Sequence, residues 1–318
     1  MKPIEREPWW QERAVLIRSR PAADGLRRLA NVVSRGSTVA RVRRLGGGLA
    51  TATSVVTLQT PSERTFHVVL KRFPPTNAHY AANEWKRLVF AERLSVPTPE
   101  PIAFDRRCEW FGIPSIVMSK LPGRPDVAPS DLDSWLEEFA RVQAEIHSAP
   151  ANRVPAVMRA REIIAQPVGD HELPPSPEVD AAIRYVGRRF ARARTRDLVI
   201  GHGDAHPGNV LWSRGRISGV TDWHHAGLFP RGHEVAYARA DIAVLVGPRA
   251  ADHYLEAYER LAGVRVLDLA VWDLRQGIAA LRWCPLWALA YREQGSSLKT
   301  QTARRRAIVF VKRVLANV

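Results

Sequence analysis

The sequence predicts an α+β protein of two lobes, a small antiparallel β-sheet lobe followed by a mainly helical lobe. Three observations carry this. Short β-like runs crowd the first third of the chain, Leu121-Pro122-Gly123 punctuates it, and apolar residues beyond that point recur at helical spacing. The boundary falls there, giving lobes of 1–120 and 121–318.

The elements follow in order. The first forty residues read as one or two lead-in helices whose apolar faces are marked by Trp9, Trp10, Val15, Leu16, Leu26, Leu29 and Val33. Val39 to Leu45 and Ser54 to Gln59 read as a hairpin around Gly46-Gly47-Gly48. After a turn at Pro61-Ser62, Phe66 to Phe73 reads as a third strand. Pro74-Pro75 leads to a helix from Ala78 to Leu94; Pro97, Pro99 and Pro101 then favour extended chain, with strands at Ile102 to Phe104 and Ser115 to Met118. In the second lobe Leu132, Trp135, Leu136, Phe139 and Ile146 share one helical face, residues 165–178 read as a proline-rich loop, and helices are expected at 180–194, 234–262, 268–292 and 302–316.

Composition narrows the class. The chain has 318 residues, 46% apolar and 25% charged, which is ordinary globular composition. Cys108 and Cys284 cannot build a disulfide framework, and neither has a Cys or His neighbour at zinc spacing; they read as buried thiols of a reducing compartment. The N-terminus MKPIEREPWWQER mixes charges where a leader needs an apolar run, and no apolar stretch is long enough to span a membrane, so a cytoplasmic protein is expected. The formal charge of +15 would suit a polyanion, yet only six of the 47 basic residues are lysines, and the arginines are scattered except for Arg304, Arg305 and Arg306. Heavy Arg and Ala usage also follows from a GC-rich coding sequence, and no nucleic-acid motif accompanies the charge, so no nucleic-acid or membrane partner is expected.

The chemistry is concentrated in Gly201-His-Gly-Asp204-Ala-His-Pro-Gly-Asn209-Val-Leu-Trp212, where His, Asp and Asn follow the spacing H-x-D-x-x-x-x-N of a kinase catalytic loop. Such chemistry needs a carboxylate to orient a hydroxyl and take its proton, and an amide oxygen one short loop away for magnesium. Asp204 and Asn209 fit those roles, and Gly219-Val-Thr-Asp222-Trp223 brings a second carboxylate at the end of a β-like run. A lone Asp beside Pro and Gly is more often a turn residue, but that does not explain both stretches in this order.

Upstream, Lys71 ends the apolar run Val68-Val69-Leu70. It is either an edge-strand lysine with its stem buried or the partner of a carboxylate on the next helix, Glu84 or Glu92. Gly46, Gly47 and Gly48, with Thr51 close behind, can form a turn whose amides cap phosphates, although Gly-rich turns are common.

On these residues the chain resembles the aminoglycoside phosphotransferase family, within the protein-kinase-like superfamily that includes choline, homoserine and fructosamine kinases. HGDAHPGNVL and the Asp222-Trp223 pair are nearly the family's HGDLHPGNVL and aspartate-tryptophan signatures. The resemblance spans roughly residues 40–290. It implies a five-stranded sheet with one helix and a larger helical lobe, both binding ATP, with adenine held by the Ser119 carbonyl and Leu121 amide of Met118-Ser-Lys-Leu-Pro-Gly123. It further implies Asp204 as catalytic base, Asn209 and Asp222 as Mg²⁺ ligands, and Lys71 held by Glu84 on the α- and β-phosphates.

The chain departs from the family at His224-His225 through His233-Glu234, a segment that borders the acceptor site in relatives. His224 and His225 share no helical or strand face, which argues against a transition-metal centre; His202 reads as structural. From Arg265 to Val318 there are ten basic residues and only three acidic ones, so a site for a polycationic acceptor has few carboxylates to draw on. The acceptor candidates are His206, His224, Glu234, Asp241 and Asp273, with Glu293 available; Trp272, Trp283 and Trp287 either stack on an acceptor or fill the core. The expected function is transfer of the ATP γ-phosphate to a hydroxyl of a small molecule, an aminoglycoside or other antibiotic, by a monomer or homodimer. The alternatives are a kinase of choline, homoserine, a sugar or a fructosamine-like metabolite, or a nucleotide-binding pseudokinase. Intact Lys71, Asp204, Asn209 and Asp222 favour the enzyme.

Overall fold

The computed structural model describes residues 8–48, 50–75, 78–151, 158, 168, 173 and 176–318. The segment 1–7, most of 165–178 and the side chains of Trp9 and Trp10 lie outside the described set. The chain divides into two compact units, one reaching to Arg93 and resuming at Thr98–Leu121, the other made of Leu94–Pro97 and Pro122–Val318.

The first unit opens with α1 (Pro8–Arg18) and α2 (Ala23–Val33). Its sheet consists of β1 (Thr38–Arg44), β2 (Ala52–Gln59), β3 (Thr65–Arg72), β4 (Pro101–Asp105) and β5 (Ser115–Ser119), with α3 (Ala78–Ala91) between β3 and β4. Every neighbouring pair is antiparallel and the order is β1-β2-β3-β5-β4. Alternation along β2 and β3 sends Val56, Leu58, Val68 and Leu70 inward, where they join Leu29 and Ala30 of α2 and Val117 of β5 in a buried core.

The second unit is mainly helical: α4 (Leu132–Ser148), α5 (Pro177–Ala193), α6 (Arg231–Leu245), α7 (Pro248–Ala262), α8 (Leu269–Glu293) and α9 (Thr300–Leu315). Asp131 caps α4 by accepting from the Ser134 N–H at 3.1 Å, and Ser176 caps α5 by accepting from Val179 at 3.1 Å. The core is built on α5, α6, α8 and α9 around Phe190, Phe229, Trp272, Ile278 and Tyr291.

Three features differ from the sequence reading. The single helix expected over 234–262 is two, because Gly247 takes φ 151° and Pro248 then starts α7. Two small sheets lie within the helical unit. One is β6 (Arg124–Pro125), β8 (Val210–Ser213) and β9 (Arg216–Val220), and the other pairs β7 (Leu198–Gly201) with β10 (Gly227–Pro230). Cys284 is buried but Cys108 is half-buried, and both are free thiols. Trp272 fills the core, at 1% exposure, which is one of the two roles the sequence leaves open to it. No helix among the described residues is long and apolar enough to cross a membrane.

Candidate active site

The two small sheets set up the catalytic loop. β7 delivers the chain to His202, Gly203 and Asp204, and the β8–β9 ladder begins at Val210 opposite Val220. That register places Asn209 beside Thr221, whose N–H and hydroxyl both donate to the Asn209 carbonyl, at 2.9 and 3.1 Å. Two residues thirteen positions apart in sequence, Asn209 and Asp222, are therefore brought to one place. Asn209 Nδ2 donates to the Asp204 carbonyl and to its Oδ2, at 3.0 and 3.1 Å, so the atom it can offer a cation is Oδ1. Asp204, Asp222 and His224 each present a ligand atom within 4.8 Å of the others.

Asp222 reaches this place from a left-handed backbone, φ 66° and ψ 53°, which Asp tolerates better than most residues. His202 acts as a strut: its Nε2–H donates to the Thr221 carbonyl at 2.9 Å, its Nδ1 accepts from the Asp204 N–H at 3.3 Å, and its ring lies 4.6 Å from that of Trp223. Gly203 has φ 79°, and a Cβ there would stand 2.5 Å from the His225 carbonyl oxygen, so the turn requires glycine.

Beneath the loop sits Glu234, which is 1% exposed. Its Oε2 accepts from the His202 N–H at 2.8 Å, and both oxygens accept from the Gly203 N–H at 3.2 Å. Behind it, Arg231 Nη1 donates to the Tyr258 hydroxyl at 2.9 Å, and that hydroxyl shares a hydrogen bond with His147 Nδ1 at 2.6 Å. The Nε2 of His147 then faces Glu234 Oε2 at 3.9 Å. Burial acts to raise the Glu234 carboxyl, but hydrogen bonding from the His147 side and from the Gly203 N–H outweighs it and holds the group below its usual range. Glu234 supports the loop backbone and is not available to an acceptor.

Asp273 is likewise withdrawn. It is 2% exposed and accepts from Arg239 Nε at 3.1 Å, inside the helical core. Asp241, also 2% exposed, accepts from the Tyr291 hydroxyl at 2.5 Å, and burial pushes its carboxyl up to about 6. Of the five acceptor candidates only His206 and His224 stand at the catalytic loop. His206 accepts from the Gly208 N–H and its Nε2 lies 3.9 Å from Asp204 Oδ2, while His224 Nδ1 is 2.7 Å from Asp222 Oδ1. Burial would raise the Asp204 carboxyl, yet the imidazoles of His206, His224 and His225 prevail over it and over Asp222 and keep it low. Asp204 is thereby held as a carboxylate.

Tyr237 escaped the sequence reading, although its hydroxyl donates to Asp204 Oδ1 at 2.5 Å. A signal was present: Glu234, Tyr237 and Asp241 recur at i, i+3 and i+7 on a helix otherwise rich in Ala and Val, and polar groups on a buried helix need partners.

In the sheet unit Lys71 lies on β3, a central strand flanked by β2 and β5, which removes the edge-strand reading. Its Nζ is 2.6 Å from Glu84 Oε1, and the two residues are 6% and 3% exposed. Glu84, not Glu92, is thus its partner. Gly46, Gly47 and Gly48 form the bend joining β1 to β2, closed by Leu45 N–H to the Thr53 carbonyl at 2.9 Å, with Gly47 at φ 88° and Thr51 buried. Ser119 is the last residue of β5 and Leu121 follows directly.

The sheet, the helical unit and the catalytic-loop constellation define a phosphotransferase of protein-kinase-like fold. The phosphotransferase enzyme family matches residues 41–273, and the chain belongs to it. It is an enzyme that transfers phosphoryl groups to hydroxyl acceptors. The chain is similar to an aminoglycoside 3'-phosphotransferase of Streptomyces fradiae, 26% identical over 270 residues that cover 75% of this chain and 93% of that protein. Among solved structures it is similar to the type VIII aminoglycoside-3'-phosphotransferase, with TM-score 0.54 and 19% identity over 80% of this chain and 98% of that one. It is also similar to a thermostable mutant of aminoglycoside phosphotransferase APH(4)-Ia in a ternary complex with ADP and hygromycin B. There the TM-score is 0.58 and the identity 18%, over 86% of this chain and 94% of that one.

Proposed function

We propose that this chain moves the γ-phosphate of ATP to a hydroxyl of a small molecule of the aminoglycoside or a related antibiotic class. The observation that carries the reading is the convergence of Asp204, Asn209 and Asp222 on one loop system, with Asp204 kept ionised. The likeness to enzymes named for aminoglycosides supports the acceptor class.

The residues divide the work. Asp204 accepts the hydrogen bond of the acceptor hydroxyl and takes its proton as the new O–P bond forms and the bond from the γ-phosphorus to the β-phosphate oxygen breaks, releasing ADP. The donor set of Asp222 carboxylate and Asn209 Oδ1 fits Mg²⁺, a hard cation that prefers oxygen. Bound there, Mg²⁺ supplies positive charge against the phosphate oxygens. Lys71, oriented by Glu84, neutralises the α- and β-phosphates, and the Gly46–Gly48 bend with Thr51 offers N–H groups to the phosphates. The Ser119 carbonyl and Leu121 amide hold adenine, and His206 and His224 contribute to the acceptor side.

A second reading, a less cationic metabolite as acceptor, is favoured by one observation. The carboxylates that a polycation would need, Glu234 and Asp273, are buried in structural bonds.

The test is Mg-ATP consumption against a panel of aminoglycosides, other hydroxylated antibiotics, choline, homoserine and simple sugars, with Asp204→Ala and Asp222→Asn alongside. Asp204→Ala is expected to keep nucleotide affinity and lose turnover by about 10²–10⁴-fold, and Asp222→Asn to weaken Mg-nucleotide binding as well. Normal turnover in either variant would sink the assignment; turnover confined to metabolites would select the second reading.

A further inference from the structure

From helix α6, outside the catalytic loop, Tyr237 reaches the Asp204 carboxylate directly. Its hydroxyl donates to Oδ1 at 2.5 Å, while Asn209 Nδ2 donates to Oδ2 at 3.1 Å. The carboxylate is therefore gripped once on each oxygen, from a rigid helix and from the loop itself. One donor leaves a carboxylate free to swing about its Cβ–Cγ bond; two, from opposite sides, do not.

The loop backbone does not need Tyr237 to hold its shape. Glu234 fixes the N–H groups of His202 and Gly203, His202 ties the loop to Thr221, and Thr221 ties it to Asn209. Losing the Tyr237 hydroxyl thus changes the orientation of one side chain and little else. Burial, reinforced by the charges of Asp204 and Asp241, pushes the phenol well above its usual range, so it serves as a donor at every working pH.

We propose that Tyr237 is a positioning residue for phosphoryl transfer, locking the Asp204 carboxylate in the orientation from which it receives the acceptor's proton. A reacting group held from a helix is placed more sharply than one held from a loop, and misorientation of a catalytic group costs rate rather than ground-state binding. The inference rests on the reading of Asp204 as base and adds to it the residue that aims it.

The experiment is Tyr237→Phe in the full chain, which keeps the ring and removes the hydroxyl. Turnover is measured with the best acceptor of the panel, or with water as acceptor where none turns over, and Mg-AMP-PNP binding by calorimetry. The expected result is kcat lower by about ten- to a hundredfold, with the acceptor KM and the nucleotide Kd within twofold and an unfolding midpoint close to that of the parent. Unchanged kcat would overturn the proposal, and so would a loss of kcat matched by a loss of nucleotide affinity or fold stability, which marks a structural role. Asp204→Asn in the same assay separates the two levels. If it retains turnover, the base assignment itself has failed; if it is inactive while Tyr237→Phe is normal, only the positioning role has failed.

Discussion

Replacing Glu234 tests whether a buried carboxylate can govern a loop it never leaves. Glu234→Ala removes the acceptor of the His202 and Gly203 N–H groups, at 2.8 and 3.2 Å, in a place closed to water. Hydrogen bonds to a charged acceptor are worth about 1.5–3 kcal/mol each, and a buried N–H left without a partner forfeits that amount. The two together cost about 3–6 kcal/mol, a large part of the stability of an ordinary domain. Glu234→Gln keeps the shape and one acceptor oxygen but turns an NH₂ group toward an N–H, and should cost about 2 kcal/mol. Gly201 packs so closely here that a Cβ on it would lie 2.4 Å from Glu234 Cδ, so the amide has no room to rotate away. Urea unfolding of both variants, read alongside kcat, checks the arithmetic. The Gln protein should remain folded and lose turnover, since Asp204 is the next residue after the two donors. If Glu234→Gln keeps both parental stability and parental kcat, the argument that this carboxylate sets the loop is wrong.

Two further outcomes are expected. His233 is buried and its pKa is pushed down to about 3 from 6.5 by burial, then by Arg275 against Glu234, so the folded chain keeps it neutral where the unfolded chain would protonate it. Unfolding then takes up a proton below pH 6.5, and stability, full above that pH, should fall by about 1.4 kcal/mol from this residue alone between pH 7.5 and 5.5. His147 and His202, also lowered chiefly by burial, act in the same direction, and denaturation midpoints across that range check the sign. Lys71→Met should leave Glu84 buried without its cation and destabilise the sheet unit by about 3–5 kcal/mol, whereas adding Glu84→Leu should restore much of that stability without restoring nucleotide binding. Calorimetric unfolding with an AMP-PNP titration distinguishes these two effects.

The sheet was readable because its strands are short β-like runs bounded by Gly and Pro, and all five strands fall on or beside those runs. The loop around Asp204 was readable because its spacing is short and its residue types are rare in that combination. The two small sheets were not. β6 has two residues and β7, β8 and β10 four each, too few to show a period, and their existence depends on partners distant in sequence. A carboxylate in a sequence carries no mark of its burial, so Glu234 and Asp273 look like acceptor groups there. Only the packing of α6 against α8 and the loop reveals that both face inward. The break between α6 and α7 was written in Gly247-Pro248, and the continuous apolar pattern on either side obscured it.

The left-handed backbone at Asp222 sets a filter of its own on what this position can become. Glutamate, which keeps the charge, has no short side chain to reconcile with φ 66° and carries the strain of an ordinary residue there. Asparagine and glycine sit comfortably but bring no charge. Among the twenty amino acids, the conformation and a need for negative charge overlap at aspartate alone. Chance mutation therefore has no gradual route away from it: every single step surrenders either the geometry of the turn or the anion at its tip.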